Sequence, residues 1–285
     1  MKVIISHDVD HLHWSDHLAD LFYPKLWVRE TLRFLRRRIS AKEWALRMMI
    51  PFHRDLHHLG ELMRFDRENG IPSTFFFGME KGLGMSYGRK QALRAIRRVQ
   101  AEGFATGVHG IASDDAIGIQ AEYDAYQALT GCAPRGIRMH YVRYADSMLQ
   151  TLSDVGYAFD SSIFHKKAGC CVIAPYRVGG MWEFPLTIMD TYLPYHTQKI
   201  KETTLEILKR ADEQKLGYCT ILLHDTNFCA AYPVYKEWYR WLVGYCRQAG
   251  FGFTDFEEAI KELNKDPLRM MNDTAAPGGA DGRTA

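Results

Sequence analysis

The chain of 285 residues is 47% apolar and 25% charged, the balance of a globular protein able to bury one large core. A formal net charge of +2 decides little about partners, because basic and acidic residues nearly cancel; any cationic surface must be local, and no recognition module for nucleic acid accompanies one. No stretch stays apolar for the roughly 18–20 residues of a helical membrane span, no leader pattern marks export, and Cys132, Cys170, Cys171, Cys219, Cys229 and Cys246 form no CxxC pair. Reduced thiols in a cytoplasmic protein are the expectation.

Residues 2–7, KVIISH, read as a buried strand that runs into HDVD, two carboxylates one residue apart with imidazole on either side. Residues 12–54 stand outside any strand–helix repeat. They include KLWVRETLRFLRRRISAKEWALRMMIPFHR, basic and interleaved with apolar residues at helical spacing. LHHLGELMRFDRENG then predicts a helix and PSTFFFGM, residues 72–79, a strand. The alternation continues. KQALRAIRRVQAEG is helical to Gly103, FATGVHG is a strand with His109 at its tip, and IQAEYDAYQALTG is a helix capped by Gly131. GIRMHY, residues 136–141, is a strand, MLQTLSDVG a helix, YAFDSS a strand, and TLEILKRADEQKLG a helix before the strand YCTILLHD. This predicts an α/β domain over residues 1–265, with the small, polar and glycine-rich 266–285 expected to be disordered.

Ionisable residues gather at the C-terminal ends of these strands, the edge where parallel α/β folds assemble their sites. They are Asp8, Asp10, His109, Arg138, His140, Asp160, His224 and Asp225. Carboxylate and imidazole around one point form a ligand set for a borderline divalent metal such as zinc. A second carboxylate and a separate histidine would divide the roles of base and acid in amide hydrolysis. Taken singly, each residue has a plain structural explanation: a turn or cap for Asp10, a hydrogen-bonded core position for His109, an ion pair for Arg138, an Asx turn with Ser161 and Ser162 for Asp160. It is their conjunction, strand after strand, that points to a site.

In that order the motifs resemble the polysaccharide deacetylase family with a NodB-like domain, a carbohydrate esterase group, over residues 1 to about 260 apart from most of the insertion. The resemblance implies a distorted (β/α) barrel of the polysaccharide deacetylase (NodB-like) type. SHDVD is similar to the first motif, implying Asp8 as general base and Asp10 as metal ligand. EGFATGVHG is similar to the segment that delivers the second motif, with His109 as ligand. RGIRMHY falls where the third motif does, implying that Arg138 orients the base through a charge-assisted hydrogen bond. ILLHD is similar to the last motif, implying His224 as general acid with Asp160 tuning it. The family's second motif carries another histidine four residues after the first, where this chain has Ser113. His140 is the expected substitute, with His11, His13 and Asp114 as other claimants.

The implied activity is metal-dependent removal of an N-acyl group, acetyl first, from an amino sugar, with Zn²⁺ or another divalent ion (Co²⁺, Ni²⁺ or Mn²⁺) as cofactor. The motif series resembles a branch of the family active in bacterial surface-polysaccharide (lipopolysaccharide O-antigen) biosynthesis, with a nucleotide- or lipid-linked substrate. N-deformylation and a non-catalytic carbohydrate-binding relic are the alternatives. A haloacid-dehalogenase-type phosphatase also begins with an apolar strand ending in Asp-x-Asp, but no lysine here lies at a suitable strand end. In the insertion, Leu26, Leu32, Leu35, Trp44, Leu46, Met48 and Met49 are expected to pack on the barrel, leaving Arg29, Arg33, Arg36, Arg37 and Arg38 solvated. The other reading is a platform for an anionic substrate carrier, or a peripheral membrane contact.

Overall fold

The computed structural model describes residues 1–265; the expected disordered tail, 266–285, lies outside the described residues. In chain order the elements are β1 (Lys2–Val9), α1 (Phe22–Leu35), α2 (Ala41–Met48), α3 (Leu59–Glu68), β2 (Thr74–Phe77), α4 (Arg89–Ala101), β3 (Ala105–Gly110), α5 (Ala116–Thr130), β4 (Gly136–Met139) and α6 (Met148–Val155). They continue with β5 (Phe159–Asp160), β6 (Tyr176–Val178), β7 (Met181–Glu183), β8 (Leu186–Met189), α7 (Thr197–Glu213), β9 (Tyr218–Leu222), α8 (Pro233–Gln248), β10 (Gly252–Thr254) and α9 (Phe256–Lys265). The strands form one curled sheet in the order β6-β7-β5-β4-β3-β2-β1-β9-β8, with β10 added to the start of β1. All pairings are parallel except β6 with β7. This is a distorted, open (β/α) barrel.

The two-residue period of a strand sorts the side chains of β1 onto its two faces. Val3, Ile5 and Val9 join the outer core under the helices, and His7 pairs there with Asp66 of α3 at 2.9 Å. Ile4, Ser6, Asp8 and Asp10 take the opposite parity and face the barrel interior. The lower interior is an aromatic plug of Phe76, Phe159, Phe184 and Phe256, in which the Phe159 and Phe256 rings stack 4.3 Å apart. Room for it comes from glycine: a Cβ on Gly136 would lie 2.0 Å from the Phe159 ring, and one on Gly107 2.7 Å from the Gly136 carbonyl. α9, which carries Phe256, is tied across this end, its Glu262 accepting from Lys2 and from the Tyr218 hydroxyl.

The insertion differs from its expected packing. Leu26 is buried and Trp44, Leu46 and Met48 are half-buried, whereas Leu32, Leu35 and Met49 are exposed. What anchors the insertion is an ion pair. Glu30 of α1 and Arg47 of α2 both have fully buried side chains, 2.5 Å apart. Arg47 also donates to the Ala231 carbonyl at 2.9 Å and the Tyr195 hydroxyl at 2.6 Å, and lies over the Tyr232 ring. Burial alone would raise the Glu30 carboxyl; the hydrogen bond and charge of Arg47 reverse this and hold it low.

Removing one partner of such a pair strands the other charge in the core. Arg47→Met is therefore expected to lower the urea-unfolding free energy by about 3–5 kcal/mol, and Glu30→Leu added to it to recover part of that loss. An Arg47→Met protein as stable as wild type would show the pair to be dispensable.

Candidate metal centre

Three strand ends and a turn deliver the interior side chains to one point. Asp10 follows β1, His109 is on β3, and His140 follows β4. Their facing atoms form a triangle: His109 Nε2 to Asp10 Oδ1 3.2 Å, His140 Nδ1 to Asp10 Oδ1 3.3 Å, His109 Nε2 to His140 Nδ1 2.9 Å. The tautomers follow from the far sides of the rings. His109 Nδ1 lies 3.0 Å from the Arg138 carbonyl and His140 Nε2 3.1 Å from the Leu83 carbonyl. A carbonyl can only accept, so those nitrogens carry the protons, and in the neutral form of the rings, the form that ligates a metal, the two facing nitrogens present lone pairs. Asp10 Oδ1 is buried and accepts no hydrogen bond.

Three acceptors so placed repel one another unless a cation lies among them. Donors about 2.0–2.1 Å from a tetrahedral Zn²⁺ stand roughly 3.3 Å apart, close to the observed edges. The residues fit a divalent ion, and Asp10, His109 and His140 would hold it.

The place expected for a second family histidine is taken by Ser113, and the third acceptor is His140. It is not in a strand, as the sequence suggested: β4 ends at Met139 and His140 opens a single 3-10 turn. The chain there is left-handed at Tyr141 (φ 58°) and Val142 (φ 42°), a conformation rare for non-glycine and least expected at a β-branched residue. Strain of this kind persists where surroundings over-determine it. Here the Tyr141 ring lies 4.0 Å from the His140 ring. Behind His109, buried Glu122 of α5 accepts from the Ile111 and Ala112 amides and fixes the loop. The other claimants are engaged elsewhere or exposed: His11 Nδ1 faces His17 Nε2 at 2.9 Å, His13 holds Ser15, and Asp114 is exposed.

Asp8 lies one interior step below Asp10. Its Oδ2 is 3.8 Å from His109 Nε2 and its Oδ1 accepts from Arg138 at 3.1 Å. Fully buried Arg138 spends its other donors on Ser6 Oγ (2.7 Å), the Ser161 carbonyl (2.9 Å) and Ser161 Oγ (2.9 Å), and its guanidinium lies 4.7 Å over the Phe76 ring. On the other side of β1, His224 follows β9 with Nε2 3.9 Å from Asp10 Oδ2.

The carboxylate on His224 is Asp190, not Asp160. Asp190 Oδ1 lies 2.7 Å from His224 Nδ1, and its Oδ2 accepts from the His224 amide at 3.0 Å and from Asn227 at 2.7 Å. Burial opposes a charge on His224, but Asp190 outweighs it, and the protein's own charges carry the imidazole up to about 10. Asp160 fails by parity. Phe159 and Ser161 turn into the barrel, so Asp160 turns out, where it accepts from Ser162 at 2.5 Å and stands in register with Glu183 of β7. Burial raises Asp160 against the hydrogen bonds of Glu183 and Ser162, and burial together with the charge of Asp160 raises Glu183 more strongly, the condition for two carboxyls to share a proton. Asp190 had a sequence signal: PLTIMD is an apolar run ending in aspartate, the same form as VIISHD. Asp225, noted at the end of β9, accepts the His58 amide at 3.1 Å.

No protein-family model matches the chain, and no curated protein matches it in sequence. Its likeness is to solved structures. A Mycobacterium smegmatis protein provisionally described as a polysaccharide deacetylase is 14% identical, with a TM-score of 0.62 over 100% of this chain and 94% of that one. The 4-alpha-glucanotransferase of Thermococcus litoralis is 12% identical, with a TM-score of 0.50 over 92% of this chain and 40% of that one. A Bordetella bronchiseptica protein provisionally described as a polysaccharide deacetylase involved in O-antigen biosynthesis is 15% identical, with a TM-score of 0.42 over 97% of this chain and 86% of that one. At these identities the likeness is one of fold, and the fold is the distorted barrel that the motifs implied.

Elemental analysis of purified protein is expected to find about one divalent ion per chain, reduced at least tenfold in both His109→Ala and His140→Ala. Retention of the ion by His140→Ala would remove that residue from the ligand set.

Proposed function

We propose that the protein is a metal-dependent amidohydrolase that removes an N-acyl group, acetyl, from an amino sugar carried on a nucleotide or a lipid. We assign the reaction to the cytoplasmic assembly of a bacterial surface polysaccharide such as O-antigen. The observation that carries the reading is the triangle of lone pairs on Asp10, His109 and His140, with a carboxylate on one side and a charged imidazole on the other. The shared fold of a protein described as a polysaccharide deacetylase agrees with it. So do six unpaired cysteines with a reducing compartment. No helix of the described residues is long and apolar enough to cross a membrane.

A Zn²⁺, Co²⁺, Ni²⁺ or Mn²⁺ ion held by the three ligands would supply Lewis acidity, polarising an acyl carbonyl and lowering the pKa of a water. The chain's own groups divide the proton transfers. Asp8, held at Oδ1 by Arg138, keeps Oδ2 toward the cluster and accepts the proton of the attacking water there. Arg138 aims it and cannot itself exchange a proton. His224, whose Nδ1–H is fixed on Asp190, presents its Nε2–H from the other side of β1 and gives that proton to the departing nitrogen. Base and acid thus stand on opposite sides of the cluster.

Two variants test the division, assayed on N-acetylated amino-sugar substrates. Asp8→Asn is expected to lose turnover by about 10²–10⁴-fold while keeping its metal; a near wild-type rate would remove Asp8 as base. Asp190→Asn leaves burial to act on His224 without its counter-ion, so the imidazole loses its proton at lower pH. The alkaline limb of kcat/KM is expected to move down by at least about one pH unit, and an unmoved limb would separate Asp190 from the acid.

A further inference from the structure

α1 is apolar on two sides. Its inner side buries Tyr23, Leu26 and Glu30. On the opposite side Leu21 at the N-cap, Val28, Leu32 and Leu35 are exposed at 64%, 62%, 44% and 69%. At about 100° per residue these four fall within an arc of roughly 60°, one continuous aliphatic ridge. Leu18, 64% exposed, extends it beyond the N-terminus. Alongside the ridge run exposed Lys25, Arg29, Arg33 and Arg36, and Arg37 and Arg38 follow the last turn. The one acid of the helix, Glu30, is buried and already faces Arg47, Arg29 and Arg33. Lys25, Arg36, Arg37 and Arg38 have no ion pair among the described residues.

An exposed aliphatic ridge is a docking surface in search of an apolar partner, and a row of uncompensated cations beside it selects an anionic one. A bilayer interface with anionic phospholipid headgroups offers both at the required spacing, acyl chains beneath and phosphates at the level of the flanking cations. We infer that the exposed ridge and cationic row of α1 dock the protein on an anionic phospholipid membrane. The helix begins at the site: the Phe22 ring stacks on His17 at 4.2 Å and lies 4.6 Å from the ring of His11, the residue after Asp10. Docking along α1 therefore holds the residue next to Asp10 close to the lipid surface, where an amino sugar borne on a lipid phosphate would be within reach. That last clause rests on the proposed function; the docking does not.

The test is co-sedimentation of the full chain with extruded phosphatidylcholine vesicles, with and without phosphatidylglycerol. Partition is expected to be at least about tenfold stronger on the phosphatidylglycerol vesicles and to fall as salt is raised. The variant Leu21→Gln/Val28→Gln/Leu32→Gln/Leu35→Gln, altered only at exposed positions, should unfold at the wild-type urea midpoint and lose that partition about tenfold or more. Lys25→Gln/Arg36→Gln/Arg38→Gln should lose it to a similar extent. Asp8→Asn should partition like wild type, which separates docking from turnover. Absence of binding to phosphatidylglycerol vesicles, or binding unchanged in the Leu21/Val28/Leu32/Leu35 variant, would overturn the inference. So would a concentration-dependent dimer that this variant dissociates, because a second copy would then cover the ridge.

Discussion

Three lone pairs held within about a hydrogen-bond length of one another by groups that cannot satisfy them are the constraint around which the upper half of this barrel is organised. Each is fixed from behind. The Arg138 carbonyl sets the His109 ring, the Leu83 carbonyl sets the His140 ring, and the strand parity of β1 sets Asp10. None of these supports competes with a cation, because each engages the far side of its ligand, the arrangement by which outer partners orient metal ligands. The non-glycine left-handed residues near this point, Leu83, Tyr141 and Val142, are the backbone cost of bringing a histidine from beyond β4 back over β3.

Arg138 links this polar layer to the apolar one beneath it. Its carbonyl orients a ligand, its guanidinium holds Asp8, and its cationic plane rests on Phe76 at the top of the aromatic plug. A fully buried guanidinium survives because four of its five donors find acceptors on Ser6, Asp8 and Ser161, through β1 and the strand end after Asp160. The parity that places Ile4 in the plug therefore also places Ser6, Asp8 and Asp10 in ascending order along the barrel axis. Toward the other edge, β9 and β8 contribute His224 and its counter-ion Asp190, so β1 is the seam between the three-acceptor cluster and this ion pair.

Much of this was legible in the chain because strands have a period of two and ionisable residues at their ends break an apolar run. That logic gave β1, β3 and β9 and the residues Asp8, Asp10, His109 and His224. It failed in three places for identifiable reasons. Asp160 sits in a strand of two residues, too short for alternation to be read, and its parity is outward. Asp190 closes a strand in a stretch that contains three short strands within residues 176–189, and local pattern alone does not order such pieces. In the insertion, apolar residues at helical spacing read as a single inward face, whereas α1 is apolar inside and out and is anchored by a buried ion pair that no hydrophobic pattern shows.

The aromatic plug has a consequence for traffic. With Phe76, Phe159, Phe184 and Phe256 filling the barrel below Arg138 and α9 strapped across the N-terminal end, the described residues leave no passage along the axis. Whatever reaches the site must enter from the C-terminal rim, and everything formed there must leave by the same rim. Nothing can be threaded through and processed in transit; a molecule can be presented to Asp8 and His224 only from outside, across the rim. The architecture makes clearance of the rim the condition for anything further to reach the site.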